Sequence, residues 1–372
     1  MPVSRVIFPF TNAKIGGSHV SSFTLGETLQ RDHGVEVVVA APAGTLICDV
    51  ARERGFTVWP LAEKPAFRHG VMTEARLLPG RLRLLAGQPA GTLVHNNDLS
   101  ALQSWGPAAR MRGLPVVYHN RAFNRTVPPN LAIMGLAHRI ICISQAVERR
   151  LPGWLARRSS LVDNPFELRN GQDVTALRDA FAKDYPVAAG EGPLIGFVGN
   201  FAHRKRPRYF LEMGKAVLER RPDATFVVFG REVDETQEAL ERHAAALGIA
   251  RHVVFAGFRM PVEDNIAMLD MLAITAIEEP LGRTPLEALM LGVPYVATDD
   301  AGLGETGRRF GGGLLVPRDA DPVRFAEAVL QGLRDYDPAR LSQAGQYARE
   351  TLSGRRHTER VMAIYEELTA KT

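Results

Sequence analysis

Cysteine is nearly absent: the 372 residues contain two, Cys48 and Cys142. Both sit in apolar settings, TLICDV and RIICIS, without metal-ligand spacing, so buried thiols are expected rather than a disulfide scaffold or a zinc site. Long apolar runs are also missing. Nothing approaches the roughly 18 consecutive apolar residues of a membrane-spanning helix, and MPVSRVIFPF lacks the charged, long-apolar, small-residue plan of a secretory signal. The expected location is the cytoplasm, with peripheral contact at the inner face of the cell membrane as a variant. No solenoid-type repeat is present. No zinc-finger, RNP-like or helix-turn-helix signature accompanies the basic residues, so nucleic acid is not an expected partner.

What is present suits an ordinary globular chain, with 45% hydrophobic and 23% charged residues. A length of 372 residues exceeds the usual single core, and two domains are expected. The net charge of +4 is uneven. Residues 1–170 carry 20 Lys and Arg against 11 Asp and Glu, a net of +9, which leaves −5 on the remainder. A basic half suits an anionic acceptor or membrane surface. Arg68, Arg76, Arg81 and Arg83, interleaved with Leu77, Leu78, Leu82, Leu84 and Leu85, form either a basic amphipathic segment for a membrane or a surface helix whose arginines face water.

The most informative stretch is 272–298, LAITAIEEPLGRTPLEALMLGVPYVAT. Leu272–Ile277 predicts a buried strand, and Pro285, Leu286, Ala288, Leu289 and Leu291 suit a helix with proline in its first turn. Gly292 stops that helix, and Val293–Thr298 predicts the next strand. A turn of this kind at the end of a parallel strand exposes backbone N–H groups where anions bind. Glu279 and Glu287 flank it. An acidic residue in a first helical turn is also common for dipole reasons alone.

Earlier in the chain, Ser4–Pro9 predicts a strand, and the pair Gly16 and Gly17 precedes an apolar-periodic helix and the strand Val35–Ala40. The pair permits close backbone approach to a phosphate or sugar, but it lacks the GxGxxG spacing of a dinucleotide site. TLVHNN and LPVVYHN predict strands ending near His95 and His119, where a side chain enters a ligand crevice or packs as a buried histidine. Ser144 is a candidate helix cap. Polar sequence over 166–193 predicts a linker with a short helical piece. Beyond it, the strand Leu194–Val198 leads to Gly199 and the cluster His203, Arg204, Lys205, Arg206 and Arg208. These cations suit a diphosphate, or else form a solvated face. Asp299–Asp300 and Asp319/Asp321 invite a metal reading, against which their Gly- and Pro-rich turns favour capping.

Glu279, seven residues and Glu287, with Gly282 between them and EALMLGVPYVAT after, resembles the signature of the family-4 retaining glycosyltransferases, or glycosyl transferases group 1. The likeness extends over nearly the whole chain and is strongest over 194–318. It implies an α/β fold of GT-B type, two Rossmann-like doubly wound parallel-sheet domains facing across a cleft. The expected boundaries are 1–165 for an acceptor-side domain, 166–193 for the linker and 194–354 for a donor-binding domain, with a helix at about 355–372 packing back on the first. The implied activity is transfer of a sugar from a nucleoside-diphosphate sugar to a hydroxyl of a glycan or lipid-linked acceptor. It proceeds with retention and without a metal or other cofactor, in cell-envelope polysaccharide, lipopolysaccharide or glycolipid synthesis.

By the same resemblance, His119 and Glu279 are the catalytic candidates. Gly16, Gly17, Arg204, Lys205, Leu281, Gly282, Arg283 and Thr284 would serve the donor's phosphates, Glu287 its ribose, and Arg259 and Met260 its base. Asn200 stands where the family usually has Arg, and Arg206 where it has Gly; Arg204 is expected to supply the missing charge. The departure at Asn200 keeps a non-catalytic GT-B partner subunit as an alternative. A sugar-nucleotide epimerase is a second alternative, which the Glu279–Glu287 pattern disfavours.

Overall fold

The computed structural model describes residues 1–370, and the chain divides into two units. Unit 1 comprises Met1–Glu167 with the described residues from Leu352 onward; unit 2 comprises Leu168–Thr351. Unit 1 is built on seven strands: β1 (Arg5–Pro9), β2 (Glu36–Pro42), β3 (Thr57–Leu61), β4 (Thr92–Asn96), β5 (Val116–Asn120), β6 (Arg139–Cys142) and β7 (Ser159–Leu161). They form one parallel sheet in the order β3-β2-β1-β4-β5-β6-β7. Unit 2 holds β8 (Leu194–Val198), β9 (Thr225–Phe229), β10 (Val253–Gly257), β11 (Met271–Ile274), β12 (Tyr295–Asp299) and β13 (Gly313–Pro317). Their order, β10-β9-β8-β11-β12-β13, repeats the same winding, again with parallel neighbours.

Apolar runs such as VVYHN, TFVVF and MLAI are buried along their length, as parallel strands covered on both faces require. Each sheet is wound outward from its middle, so the direction of winding reverses between β1 and β4 and between β8 and β11. Loops leaving such a pair at their carboxyl ends diverge to opposite sides and open a crevice for ligands.

The core of unit 1 gathers Phe8, Phe23, Val37, Leu93 and Val117 from its sheet and first helix. Val361, Met362, Ile364 and Tyr365 of the helix Gly354–Thr369 join the same cluster. That helix begins at the Ser353 cap and packs against the helix Gly17–His33 and β4. Positions 371 and 372 of the predicted helix lie outside the described residues. The core of unit 2 centres on Ile195, Phe210, Phe226, Met271, Val296 and Phe325.

Two expectations are corrected. Residues 168–193 are part of unit 2 rather than a linker: the helix Val174–Asp184 buries Phe181 beside Phe229, and Arg178 donates to Met268 O and Asp270 Oδ1, both at 2.8 Å. The arginines of the helix Val71–Leu84 do not share one exposed face. Arg81 is 2% exposed, held by Glu74 at 2.6 Å and Glu63 at 3.0 Å with its guanidinium over the Trp105 ring. A buried guanidinium needs such partners to offset its desolvation, so this residue anchors the helix inward. Arg76 and Arg83 remain exposed. Among the described residues no helix is long and apolar enough to cross a membrane.

Candidate active site

In unit 2 the loops leaving β8 and β11 carry the charged groups that sequence singled out. The β8 loop runs through Gly199 and Asn200 to a short 3-10 turn, His203–Lys205, then Arg206 at φ 57° and the helix Pro207–Leu218. The β11 loop is tied to it by backbone: Ile277 N–H donates to Arg204 O at 2.8 Å, and the Thr275 hydroxyl donates to Lys205 O at 2.9 Å. These bonds bring Glu279 onto the cations. Lys205 Nζ lies 2.8 Å from Glu279 Oε1, and Arg204 Nη1 pairs with the same oxygen. Glu279 and Lys205 are mostly buried, whereas Arg204 is half-exposed. Asn200 is exposed, and Arg206 stacks its guanidinium over the Tyr209 ring.

Beyond Glu279 the chain turns through Gly282, φ 76°, into the helix Arg283–Met290. The first N–H groups of any helix lack intrahelical acceptors, so Arg283 and Thr284 present an anion-favouring start. Glu287 is 7% exposed and accepts from Arg283 Nη2 at 3.2 Å. The turn is packed tightly on the next loop. A Cβ on Gly302 would stand 2.7 Å from Glu279 O and from backbone atoms of Leu281, so only glycine allows this approach.

The β9 and β10 loops lie on the same edge of the sheet. Phe258 is half-exposed with the Arg231 guanidinium 3.5 Å from its ring centroid, and Met260 is exposed. Arg259 turns toward the helix Val174–Asp184 instead, with Asp184 Oδ2 at 3.9 Å and Phe181 beneath it. Three of the four paired aspartates are engaged: Asp299 with Arg308, Asp300 with Arg318 and the Glu278 N–H, and Asp321 with the Arg324 N–H; Asp319 is exposed.

In unit 1, Gly16 and Gly17 are exposed at the start of the helix Gly17–His33. A Cβ on Gly16 would meet nothing within 4 Å, yet its N–H is already used, donating to His19 Nδ1 at 3.2 Å. His19 was not picked out from sequence. It is buried against Phe10, and burial with the Arg121 guanidinium nearby lowers its pKa to about 4.

His119 does not open onto a crevice. Strand alternation turns its ring onto the face covered by the helix Gly354–Thr369, where it is wholly buried. His119 Nδ1 lies 3.0 Å from Arg121 Nη2 and 3.3 Å from His95 Nε2, and its ring stacks on His357. His95 Nδ1 meets the Tyr365 hydroxyl at 2.5 Å, and His357 Nδ1 donates to Asp163 O at 2.6 Å. Burial first, and the Arg121 charge second, hold the pKa values of His95 and His119 well below the usual range and bring His357 to about 3. All three rings are therefore neutral at pH 7.

Residues 181–351, most of unit 2, match the family model for glycosyl transferases group 1. The chain is 29% identical over 288 residues to the lipopolysaccharide core biosynthesis mannosyltransferase LpsB of Rhizobium meliloti (strain 1021), covering 70% of this chain and 82% of that one. It is 32% identical over 279 residues to the 2-deoxystreptamine glucosyltransferase of Streptomyces kanamyceticus, covering 73% of this chain and 64%, under two thirds, of the relative. Among solved structures, Anabaena Alr3699/HepE in complex with UDP aligns at a TM-score of 0.79 over 98% of this chain and 100% of that chain, with 19% identity, a likeness of fold. Two parallel sheets of identical winding and this likeness of structure converge on one assignment: the chain has the GT-B fold, and its residues 181–351 match the group 1 glycosyl transferases.

Proposed function

We propose that the protein transfers a sugar from a nucleoside-diphosphate sugar to a hydroxyl acceptor, with retention at the anomeric carbon and without a metal. The observation that carries this reading is the Arg204–Lys205–Glu279 cluster where the winding of unit 2 reverses. Two cations on one carboxylate leave a net charge of +1, suited to a dianionic diphosphate. Binding of the diphosphate exchanges Glu279 for phosphate oxygens on Lys205 and Arg204 and frees the carboxylate for the donor sugar. As the glycosidic bond breaks, the pair becomes the sink for charge growing on the leaving diphosphate, and preorganised donors make this stabilisation effective. Freed Glu279 then holds sugar hydroxyls and offsets positive charge near the anomeric carbon. Glu287 accepts from the ribose hydroxyls, the backbone from Leu281 to Thr284 adds donors, and Phe258 with Met260 offers an apolar wall to the base. In unit 1, His119 orients Arg121, which we assign to the acceptor side.

The match to a lipopolysaccharide core enzyme and the basic first half of the chain favour an envelope glycan or glycolipid acceptor. Exposed Phe67, Val71 and Met72 beside Arg76 supply an apolar, cationic edge for an anionic membrane. Sedimentation with phosphatidylglycerol vesicles, weakened by Met72→Asp, checks that contact; equal recovery of both proteins would remove it.

The donor class is tested by thermal unfolding against UDP, GDP, ADP and their sugars, since a ligand of the folded state raises the midpoint. One nucleoside diphosphate is expected to stabilise the protein, with Lys205→Ala losing about 1.5–3 kcal/mol of that binding, the range for a charge-assisted bond. Glu279→Gln should lower turnover by about 100-fold while leaving donor affinity nearly intact. Activity must survive excess chelator; loss reversed by Mg²⁺ or Mn²⁺ would overturn the metal-free mechanism.

A further inference from the structure

We infer that Asp300, held by Arg318, is the positioning residue that sets the Glu279 carboxylate. The inference rests on the role given to Glu279 above. Three non-glycine residues among those described have positive φ: Arg206 at 57°, Glu278 at 55° and Ala301 at 44°. Arg206 and Glu278 stand in the loops after β8 and β11 and Ala301 opens the helix after β12, three strands that are neighbours in the unit 2 sheet. Left-handed backbone is costly for side chains with a Cβ and persists where surrounding bonds over-determine it.

At Glu278 those bonds are visible. Asp300 Oδ2 accepts the Glu278 N–H at 2.5 Å, Asp300 Oδ1 accepts from Arg318 Nη1 at 2.9 Å, and Arg318 Nη2 lies 3.7 Å from Glu278 Oε1. Asp300 occupies the N-cap position of the helix Ala301–Phe310, where an aspartate ordinarily accepts from its own helix. Here its side chain makes no cap bond. The carboxylate is turned across to the other loop. Two residues beyond Asp300, Gly302 N–H donates to Glu279 O at 2.9 Å. The Glu278–Glu279 turn is thus clamped from the β12 side by Asp300 and Gly302, and from the β8 side by the bond between Ile277 and Arg204. With its backbone fixed on both flanks, Glu279 reaches Lys205 and Arg204 without searching.

Asp300 is mostly buried and touches none of the groups assigned to the donor, so it acts through the turn. The test compares Asp300→Ala, Asp300→Asn and Glu279→Gln in the full chain. Two readouts are used: amide hydrogen exchange of the 275–283 segment, and kcat and KM with the nucleotide sugar that stabilises the protein. Asp300→Ala should speed exchange of that segment by about tenfold or more and lower kcat by about 10- to 100-fold, as a small misplacement of a reacting group does, with donor KM little changed. Asp300→Asn keeps an acceptor for the Glu278 N–H but weakens the Arg318 pair, and should fall between; it stands in if the alanine variant does not fold. Added to Glu279→Gln, Asp300→Ala should cost no further kcat.

Unchanged exchange and kcat in Asp300→Ala, with turnover lost in Glu279→Gln, would overturn the inference and leave the proposed function standing. Full turnover in Glu279→Gln would instead sink the role of Glu279, and exchange alone would then decide whether Asp300 holds the turn. Equal, additive losses in both backgrounds would show a general structural defect.

Discussion

His119 lies inside β5, whereas Glu279 lies five residues past the end of β11, and this placement separates a buried ring from a site carboxylate. Within a strand, alternation sends the side chain onto a sheet face; beyond it, the loop carries the side chain over the edge. The short motif from Glu279 to Glu287 is therefore legible in sequence, because its turn and helix are local. Asp300 and Arg318 are not, since their bond to Glu278 exists only once three loops meet. His19 had a signal at the third position of its helix, but nothing in sequence shows the Phe10 ring against it. At this scale the neutral histidines give a prediction. Their folded pKa values lie below the unfolded value near 6.5, so the unfolded chain takes up more protons as pH falls, and stability present above pH 6.5 is lost progressively toward the folded value of about 3 for His357. Urea unfolding at pH 7 and pH 5 should show a lower midpoint at pH 5, with a smaller difference in His357→Gln. An equal difference would mean that folding does not lower the pKa of His357.

Among elements, the strands, the helix Arg283–Met290 and the short helix at 174–184 follow from apolar runs and periodicity, while reading that helix as part of a linker fails because burial of Phe181 is a tertiary fact. The contact between the β11 and β12 loops has its own consequence. Gly302→Ala places a methyl against Glu279 O and Leu281, and relief of such a clash moves a loop at a cost of about 1–3 kcal/mol. Turnover should drop more than thermal stability; a fall in stability with full turnover would show that the turn absorbs the shift. In unit 1, Tyr365→Phe removes the partner of His95 Nδ1, and an unsatisfied buried group costs about 1–3 kcal/mol, readable in urea unfolding.

At the scale of the whole molecule, alternating strand and helix signals showed the opening of a doubly wound fold in unit 1, while the same winding in both units and the return of the chain to unit 1 were suggested by family likeness alone. Ending the chain after Thr351 leaves unit 2 continuous and strips unit 1 of Val361, Met362, Ile364 and Tyr365. Such a truncated protein should keep a nucleotide-stabilised unfolding transition while a second transition shifts down or disappears. A single unshifted transition would contradict that division. The same connectivity imposes an order on synthesis. The ribosome releases the Met1–Glu167 part of unit 1, then the whole of unit 2, before the helix that buries His95 and His119 is made. For that interval the nascent first unit displays an open apolar face, which is the form of the protein most exposed to chaperones, proteases and aggregation.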